Sequence, residues 1–287
     1  MHRLLLLFIL LLPLSLSAQL GSRADSLIIA HADWKIDSLD GFVLKQKHFN
    51  ARNCLGSNQN ICILEIPADS PRRLAFTFEQ QRTPTSLQAA HSDALAAVNG
   101  SFFDMKLHNP ICYLRIDGNE LGVNTPQASD SVHRKYYQYG SVALRHGRPH
   151  FLVPDSARLY ERLWPDSNIM TAGPMLIRDG SLVPMRNDRT FVTDRHNRTA
   201  IAIRPDGTVL LVTVDGRTRQ SQGLSLHDFQ LLLRYLGCCD ALNLDGGGST
   251  TMYVRGKPNA GSVNRPSDNF RFDFKGERSV SNCIIIK

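Results

Sequence analysis

The sequence lacks the patterns that identify several common classes of protein. It has no Cys-x-x-Cys pair and no His/Cys cluster, so nothing indicates a zinc site. No Gly-Lys-Ser/Thr follows a glycine-rich loop, which disfavours a nucleotide P-loop. There is no internal repeat or heptad pattern and, beyond the N-terminal segment, no run that approaches about 18 apolar residues. We therefore expect a globular chain with no stable membrane span.

Aromatic residues are scarce, and basic residues are spread along the chain. Phe, Trp and Tyr make up 8% of the 287 residues, and 33 Lys and Arg against 26 Asp and Glu give a net charge of +7. Because these charges are not clustered, they argue against a nucleic-acid surface and favour anionic substrates. The composition leaves the oligomeric state open.

The first residues have the pattern of a secretory signal. A short basic start, His2 and Arg3, precedes an apolar run over residues 4–12 and small residues that end at Ala18. We expect a signal peptide over residues 1–18 and a mature chain that begins near Gln19 and is periplasmic or secreted. In an exported chain the six cysteines permit disulfides; Cys54 and Cys62 could close a local loop, and the pairing stays open.

Pairs of short apolar runs flank Asp-Gly turns. Such turns at residues 117–118, 179–180 and 206–207 each separate two strand-like segments, which is the pattern of a β-hairpin. Few segments have helical spacing. The sequence therefore predicts an α+β fold with large mixed or antiparallel sheets. We divide it into an N-terminal β-rich segment over residues 19–89, packed on a catalytic domain over residues 90–287.

The most informative segment is Leu-Asp-Gly-Gly-Gly-Ser-Thr at residues 244–250. Ser225 caps a helix whose apolar stripe ends at Gly237, and a short strand over residues 241–244 leads into the glycines. Three successive glycines bring bare amides, which can form a concave anion site. The candidate residues of this loop are Asn243, Asp245, Gly246, Gly247, Gly248, Ser249 and Thr250.

Other polar residues follow predicted strands, where a site would be assembled. Asn99 and Asp104 lie after the apolar run at residues 96–98. Arg195 and Arg198 precede one strand of a hairpin, and Asp215 and Arg217 follow the other. Arginine is suited to binding phosphate because its planar guanidinium can donate two parallel hydrogen bonds.

Seven blocks in this order resemble the phosphodiester glycosidase family, which has exported bacterial members. The resemblance covers about residues 90–287, and DALNLDGGGST is its most specific element. The blocks are NGSFFD (99–104), AGPMLIRDG (172–180), RHNRTAIAI (195–203), LLVTVDGR (210–217), SQGLSLHDF (221–229), DALNLDGGGSTTM (240–252) and ERSVSNCI (277–284).

The resemblance implies hydrolysis of a sugar 1-phosphodiester, of the N-acetylglucosamine 1-phosphodiester type, at the glycosidic bond. That chemistry needs a carboxylate for the oxocarbenium-like sugar and positive donors for the departing phosphate. We assign the carboxylate to Asp245, with Asp215 and Glu277 as candidate partners. The phosphate clamp would be Arg198, Arg217 and Arg278 with the glycine amides, and sugar hydroxyls would be held by Asn99, Asp104 and Asn243. No cofactor is required, and a divalent metal is left open.

Two other functions fit the same residues. A module that binds phosphorylated or otherwise anionic surface glycans would use the same arginines without cleavage. A metal-dependent phosphodiesterase would gather Asp104, Asp215 and Asp245 around a hard cation and cut the P–O bond. A pair of carboxylates about 5 to 10 Å apart would favour the glycosidase.

Overall fold

The computed structural model describes residues 23–127, 130–152, 155, 157–187 and 190–287. The signal peptide predicted over residues 1–18 lies outside this part of the chain. No helix among the described residues is long and apolar enough to cross a membrane.

Strands dominate the described residues, and the helices are short. Helix α1 covers residues 23–30, and the others are α2 (Thr85–His91), α3 (Thr190–Thr193) and α4 (Leu226–Tyr235). The strands are β1 (Lys35–Leu39), β2 (Phe42–Cys54), β3 (Ser57–Ile66), β4 (Leu74–Pro84), β5 (Ala96–Asn99), β6 (Leu114–Ile116), β7 (Asn119–Gly122), β8 (Pro126–Gln127), β9 (Asp130–Arg134), β10 (Ser141–Arg145), β11 (Arg148–Leu152), β12 (Ile169–Thr171), β13 (Met175–Arg178), β14 (Ser181–Leu182), β15 (Arg198–Ile203), β16 (Val209–Val214), β17 (Asp240–Asn243), β18 (Met252–Val254) and β19 (Ser279–Ile286).

These strands form three main sheets and a small two-stranded one. The largest has the order β1-β2-β3-β16-β15-β17-β13-β14, the second β11-β10-β12-β6-β7, and the third β18-β5-β19-β4. The named strand pairs are antiparallel, including the predicted hairpins β6–β7, β13–β14 and β15–β16. The α+β fold class is confirmed.

The N-terminal strands belong to the same sheets as the later ones. Strand β3 pairs with β16, and Ile63 lies opposite Val212 in the register of that pair. Strand β4 pairs with β19, where Phe76 lies opposite Ile284. Residues 23–89 thus complete two sheets whose other strands come from residues 90–287.

The main core lies where the three sheets meet. Leu211 of the largest sheet, Val98 of the third and Met170 of the second belong to one buried apolar cluster. The opposite face of the largest sheet is covered by α4, whose Phe229 is fully buried. Burial of one such side chain stabilises the fold by about 1.5 to 3 kcal/mol. The predicted cap is present, since Asp228 N donates to Ser225 Oγ at 3.0 Å.

All six cysteines are free, so the loop-closing bridge considered for Cys54 and Cys62 is not formed. Burial raises the pKa of Cys54 to about 12, and both side chains pack as small apolar groups.

Candidate active site

The glycine loop is held against the ends of two sheets. Strand β17 of the largest sheet leads into Asp245, whose N–H donates to Gly100 O at 3.0 Å, just after β5 of the third sheet. Asn99 Nδ2 donates to Asp245 O at 2.6 Å, and Asn99 Oδ1 accepts from Thr199 Oγ1 at 2.8 Å. Both polar atoms of the Asn99 side chain are thus engaged by the protein, and Asn99 holds the loop in place.

The Asp245 carboxylate is half-buried at the start of this loop. Its Oδ1 accepts a hydrogen bond from Gly246 N at 2.8 Å. Burial raises the pKa of Asp245 to about 6, against the opposing effects of Ser249, Gly246, Arg278 and Arg217. A carboxyl group with a pKa near neutrality, beside two cations, is typical of a catalytic site.

Two arginines from separate elements meet beside Asp245. Arg217 follows β16 and Arg278 immediately precedes β19. Both contact Asp268, Arg217 Nη1 lying 3.6 Å from Asp268 Oδ1 and Arg278 Nη2 donating to the same oxygen. Burial and the neighbouring Arg278 lower the pKa of Arg217. Two positive charges thus share one close carboxylate partner, which leaves the pair able to bind a further anion.

The three glycines allow these arginines to lie directly on the loop. A Cβ on Gly247, whose φ is +59°, would lie 2.8 Å from Arg217 Nη2, and a Cβ on Gly248 would overlap both Arg278 and Asp268. A Cβ on Gly246 would lie 2.6 Å from Asn197 O, so this glycine packs directly on a backbone carbonyl. At all three positions a side chain would displace a neighbour.

The predicted cradle of glycine amides is largely occupied. Gly246 N donates to the Asp245 carboxylate and Gly247 N donates to Asn197 O at 2.9 Å. The amides therefore mainly hold the loop in shape, and the arginines supply most of the positive charge for an anion.

Several buried polar atoms around the loop lack partners among the described residues. They include Arg278 Nε, Asn243 Oδ1 and Asn282 Nδ2. The other ends of the two amides are fixed, because Asn243 Nδ2 donates to Gly173 O at 2.8 Å and Asn282 Oδ1 accepts from Ser101 N at 2.7 Å. Unpaired buried polar groups are rare, and at a cleft they are accounted for by a polar ligand or water.

The remaining hydroxyls of the motif lie beneath the loop. Ser249 is fully buried and helps to lower the pKa of Asp245. Thr250 is also buried, and its hydroxyl accepts from Thr199 Oγ1 at 3.3 Å.

An exposed aromatic side chain lies over one of the arginines. Phe270 belongs to the segment that carries Asp268, is 69% exposed, and places its ring centroid 5.1 Å from Arg217 Cζ. Its φ of +58° is an unusual conformation for a bulky residue. Strained backbone that presents an apolar ring beside charged groups is characteristic of binding sites.

The carboxylate of Asp215, predicted as a catalytic partner, accepts three hydrogen bonds from the protein. It is buried and accepts from Asn60 Nδ2 and Asn264 Nδ2, each at 2.7 Å, and from Arg265 N at 2.8 Å. Burial raises its pKa to about 6, against the effect of these donors. The hydrogen bonds join the end of β16, from which Arg217 follows, to the segment after β18.

Glu277 and Asp104 are engaged in local structure. Glu277 accepts from Ser86 N at 2.8 Å and Ser86 Oγ at 2.7 Å, so it caps the first turn of α2. Asp104 Oδ1 accepts from the N–H groups of Lys106 and Leu107 at 2.7 and 2.8 Å, which closes a turn. These contacts do not fit the catalytic role predicted for Glu277 or the sugar-binding role predicted for Asp104.

The predicted ligands Arg195 and Arg198 bind the protein itself. Arg198 is buried and donates to three backbone carbonyls, of Leu224, Phe191 and Asp194. Burial lowers its pKa to about 9. Arg195 donates to Ser57 Oγ and to two backbone carbonyls. The donors of Arg198, predicted for the phosphate clamp, and of Arg195, predicted to bind substrate, are thus used inside the fold.

Sequence reasoning missed Asp268, Asn197, Asn282 and Phe270. Asn197 and Asn282 lie in blocks that carry the family resemblance, which is the signal that could have identified them. Asp268 and Phe270 lie in a segment outside every recognised block, and only the fold brings them to Arg217.

The described residues contain no group of three His, Cys, Asp or Glu side chains arranged to hold a metal ion. In particular, Asp104, Asp215 and Asp245 are bound by separate sets of donors. The residues do not fit the trio required by the metal-dependent alternative.

Solved structures that share this fold include three from different organisms. A protein from Synechocystis matches with a TM-score of 0.66 and 17% sequence identity. The match covers 89% of this chain and 64% of the Synechocystis protein. The zebrafish N-acetylglucosamine-1-phosphodiester alpha-N-acetylglucosaminidase catalytic domain, auto-inhibited by its pro-peptide, matches with a TM-score of 0.65 and 19% identity over 89% of this chain and 85% of that one. A protein of Burkholderia pseudomallei K96243 described as exported matches with a TM-score of 0.55 and 16% sequence identity. That match covers 80% of this chain and 74% of the Burkholderia protein.

Among curated proteins, none matches the sequence. The family model for phosphodiester glycosidase, in contrast, matches residues 92–287, which is more than half of the chain and includes Asp245, Arg217 and Arg278. The chain therefore belongs to the phosphodiester glycosidase family.

Proposed function

We propose that the protein hydrolyses the glycosidic bond of a sugar 1-phosphodiester and releases the free sugar and a phosphomonoester. The observation that carries this proposal is the Asp245 carboxyl, with a pKa of about 6, beside two arginines that share Asp268. A phosphodiester carries one negative charge. With both arginines charged and both Asp268 and Asp245 ionised, the cluster is neutral, and the guanidinium N–H groups bind the phosphodiester oxygens directly.

The same groups can promote bond cleavage. Asp245 either attacks the anomeric carbon, forming a glycosyl ester that water then hydrolyses, or takes a proton from the attacking water. In both cases the C–O bond to the phosphate breaks and its electron pair stays on the phosphate oxygen. The phosphate gains a second negative charge in this step. Arg217 and Arg278 bind that charge more strongly as it develops, which lowers the barrier.

The surrounding residues would orient the sugar. The unpaired Asn243 Oδ1 accepts a hydrogen bond from a sugar hydroxyl, and the Phe270 ring packs against an apolar sugar face. Asn99 keeps Asp245 in place through the loop backbone. The second carboxylate of a glycosidase pair is not required here, because a phosphate leaving group needs little protonation.

The decisive experiment is hydrolysis of α-N-acetylglucosamine 1-phosphodiesters in ¹⁸O-labelled water. Label in the sugar means C–O cleavage and supports the proposal. Label in the phosphate means P–O cleavage and supports the phosphodiesterase alternative. Binding of the diester without turnover, unchanged in Asp245→Asn, would instead support a glycan-binding module.

We further propose that the protein acts after export. The basic, apolar and small residues over positions 1–18 support this, as does the similarity to the Burkholderia protein. Mass spectrometry of the cell envelope and medium should find an N-terminus near Gln19. Protein that retains Met1 in the cytoplasm would refute it.

A further inference from the structure

A second cavity lies outside the Asp245 site. It has a volume of about 200 Å³ and is bounded by β1 and β2 on one side and by the segment after β18 on the other. Its lining includes Lys35, Lys257, Asn259, Ser262, Arg265 and Phe274. It shares no lining residue with the group formed by Asp245, Arg217, Arg278 and Asp268.

The cavity has unbalanced positive charge. Lys257 is paired with Asp37, which also lines the cavity. Among the described residues, Lys35 and Arg265 have no carboxylate within ion-pair distance. The four charged lining groups leave a net charge of about +2, part of which the neighbouring Asp215 carboxylate offsets, around a partly enclosed space where screening by solvent is weaker than on an open surface.

The Arg265 guanidinium is held in place by aromatic rings and has no hydrogen-bond partner in the described part of the chain. Its Cζ lies 3.6 Å from the centroid of the Phe274 ring and 5.5 Å from that of Phe272. Such stacking fixes the plane of the guanidinium and leaves its N–H groups free at the edge. The backbone N–H of Arg265 donates to Asp215, which anchors the residue independently of its side chain.

A buried hydroxyl supplies a second and independent indication of a ligand. Ser262 is 4% exposed, lines the cavity, and its Oγ has no hydrogen-bond partner in the described chain. A buried hydroxyl without a partner costs free energy unless a ligand or water satisfies it. The cavity volume is several times the about 30 Å³ of one water molecule and is large enough for a phosphate group.

We propose that this cavity is a second anion-binding site that takes a phosphate group, with Arg265 and Lys35 as its charged ligands and Ser262 as a hydroxyl donor. Phosphate fits better than a carboxylate because its tetrahedral oxygens can reach the planar Arg265 edge, Lys35 and Ser262 at once. The phosphate is either free or carried on a sugar or polyol, whose carbon skeleton would pack on Phe274. This inference does not depend on hydrolysis at Asp245.

The test is calorimetric titration with inorganic phosphate and with glycerol 1-phosphate. To isolate the second site, both are titrated into an Arg217→Gln/Arg278→Gln protein, which lacks the phosphate clamp of the first. Arg265→Gln in that background should weaken binding by at least about tenfold, since about 1.4 kcal/mol, just below the range for one charge-assisted hydrogen bond, is a factor of ten. Glutamine retains the backbone N–H that Asp215 accepts, so the variant should fold.

Ser262→Ala is the second variant, and Arg271→Gln is the matched control. Ser262→Ala should weaken phosphate binding while leaving the ligand-free protein at least as stable, because it removes an unpaired buried hydroxyl. Arg271 is exposed in the same segment and does not line the cavity. Tighter binding of glycerol 1-phosphate than of inorganic phosphate would identify a phosphate carried on a polyol, and equal or weaker binding would identify free phosphate.

The proposal is overturned if the clamp-deficient protein binds no phosphate. It is also overturned if Arg265→Gln has no effect, if Arg271→Gln weakens binding as much, or if glucuronate binds and phosphate does not. Sugar phosphodiester turnover by Lys35→Gln in the otherwise wild-type protein tests the first site separately, and it should stay within about twofold of the wild-type rate.

Discussion

Replacement of Asp245 by asparagine should separate catalysis from stability. Asparagine keeps an oxygen that can accept from Gly246 N, so the loop should retain its shape. It cannot act as a nucleophile or base. Turnover of a sugar 1-phosphodiester should therefore fall by at least about a hundredfold, the low end for loss of acid–base help. Affinity for inorganic phosphate should not weaken, because the two arginines remain.

The same variant should be more stable than the wild-type protein at neutral pH. Burial raises the pKa of Asp245 to about 6 from the ordinary 3.8, which at about 1.36 kcal/mol per pH unit corresponds to about 3 kcal/mol against the ionised form in the fold. Because the side chain is only half-buried, we expect a gain of about 1 to 3 kcal/mol at pH 7.5. The wild-type protein loses this stability as pH rises from about 4 through about 6, and the asparagine variant does not.

Denaturant unfolding at pH 4 and pH 7.5, followed by tryptophan fluorescence, measures the difference. Asp268→Asn is the matched control, for which we expect a change in folding stability in the opposite direction. The hydrogen bond from Arg278 lowers the pKa of Asp268, so its carboxylate stabilises the fold above pH 3.8, and this contribution is lost as pH falls through the lowered pKa. That variant should be less stable at pH 7.5. A less stable Asp245→Asn protein, or one with full turnover, would refute the reasoning.

Four further predictions test the site. Gly248→Ala should reduce kcat/KM at least tenfold, because its Cβ overlaps Arg278 and Asp268; wild-type kinetics in a folded variant would contradict this. Glu277→Gln should change kcat less than twofold and should not lower the melting temperature at neutral pH, since burial raises the pKa of Glu277 and an amide oxygen can still accept from Ser86 N; a large kcat loss would restore its catalytic role. Phe270→Ala should raise KM severalfold with little change in kcat, and an unchanged KM would remove Phe270 from substrate binding. The log of kcat/KM should rise with pH and level off above about 6, as Asp245 ionises, and a profile flat from pH 4 to 8 would contradict this.

Short-range features of the fold could be predicted from the sequence. Asp-Gly turns flanked by apolar strands specify hairpins through backbone conformations that a few adjacent residues determine, and β6–β7, β13–β14 and β15–β16 are present. The Ser225 cap and the apolar stripe of α4 are local in the same sense. The order of strands within each sheet could not be read this way, because it depends on which apolar faces pack together.

The same distinction between local and long-range features applies to the candidate site. The sequence by itself determined that Asp245 precedes a run of glycines at the end of a strand, since that arrangement lies within a few residues. It could not distinguish Arg195 and Arg198 from Arg217 and Arg278, because all four have the same chemistry. Only tertiary structure decided that the first two donate to protein oxygens and the last two meet at Asp268 beside Asp245. The physical reason is that each guanidinium binds whichever oxygens the packed sheets bring within about 3 Å, and those oxygens come from distant parts of the chain.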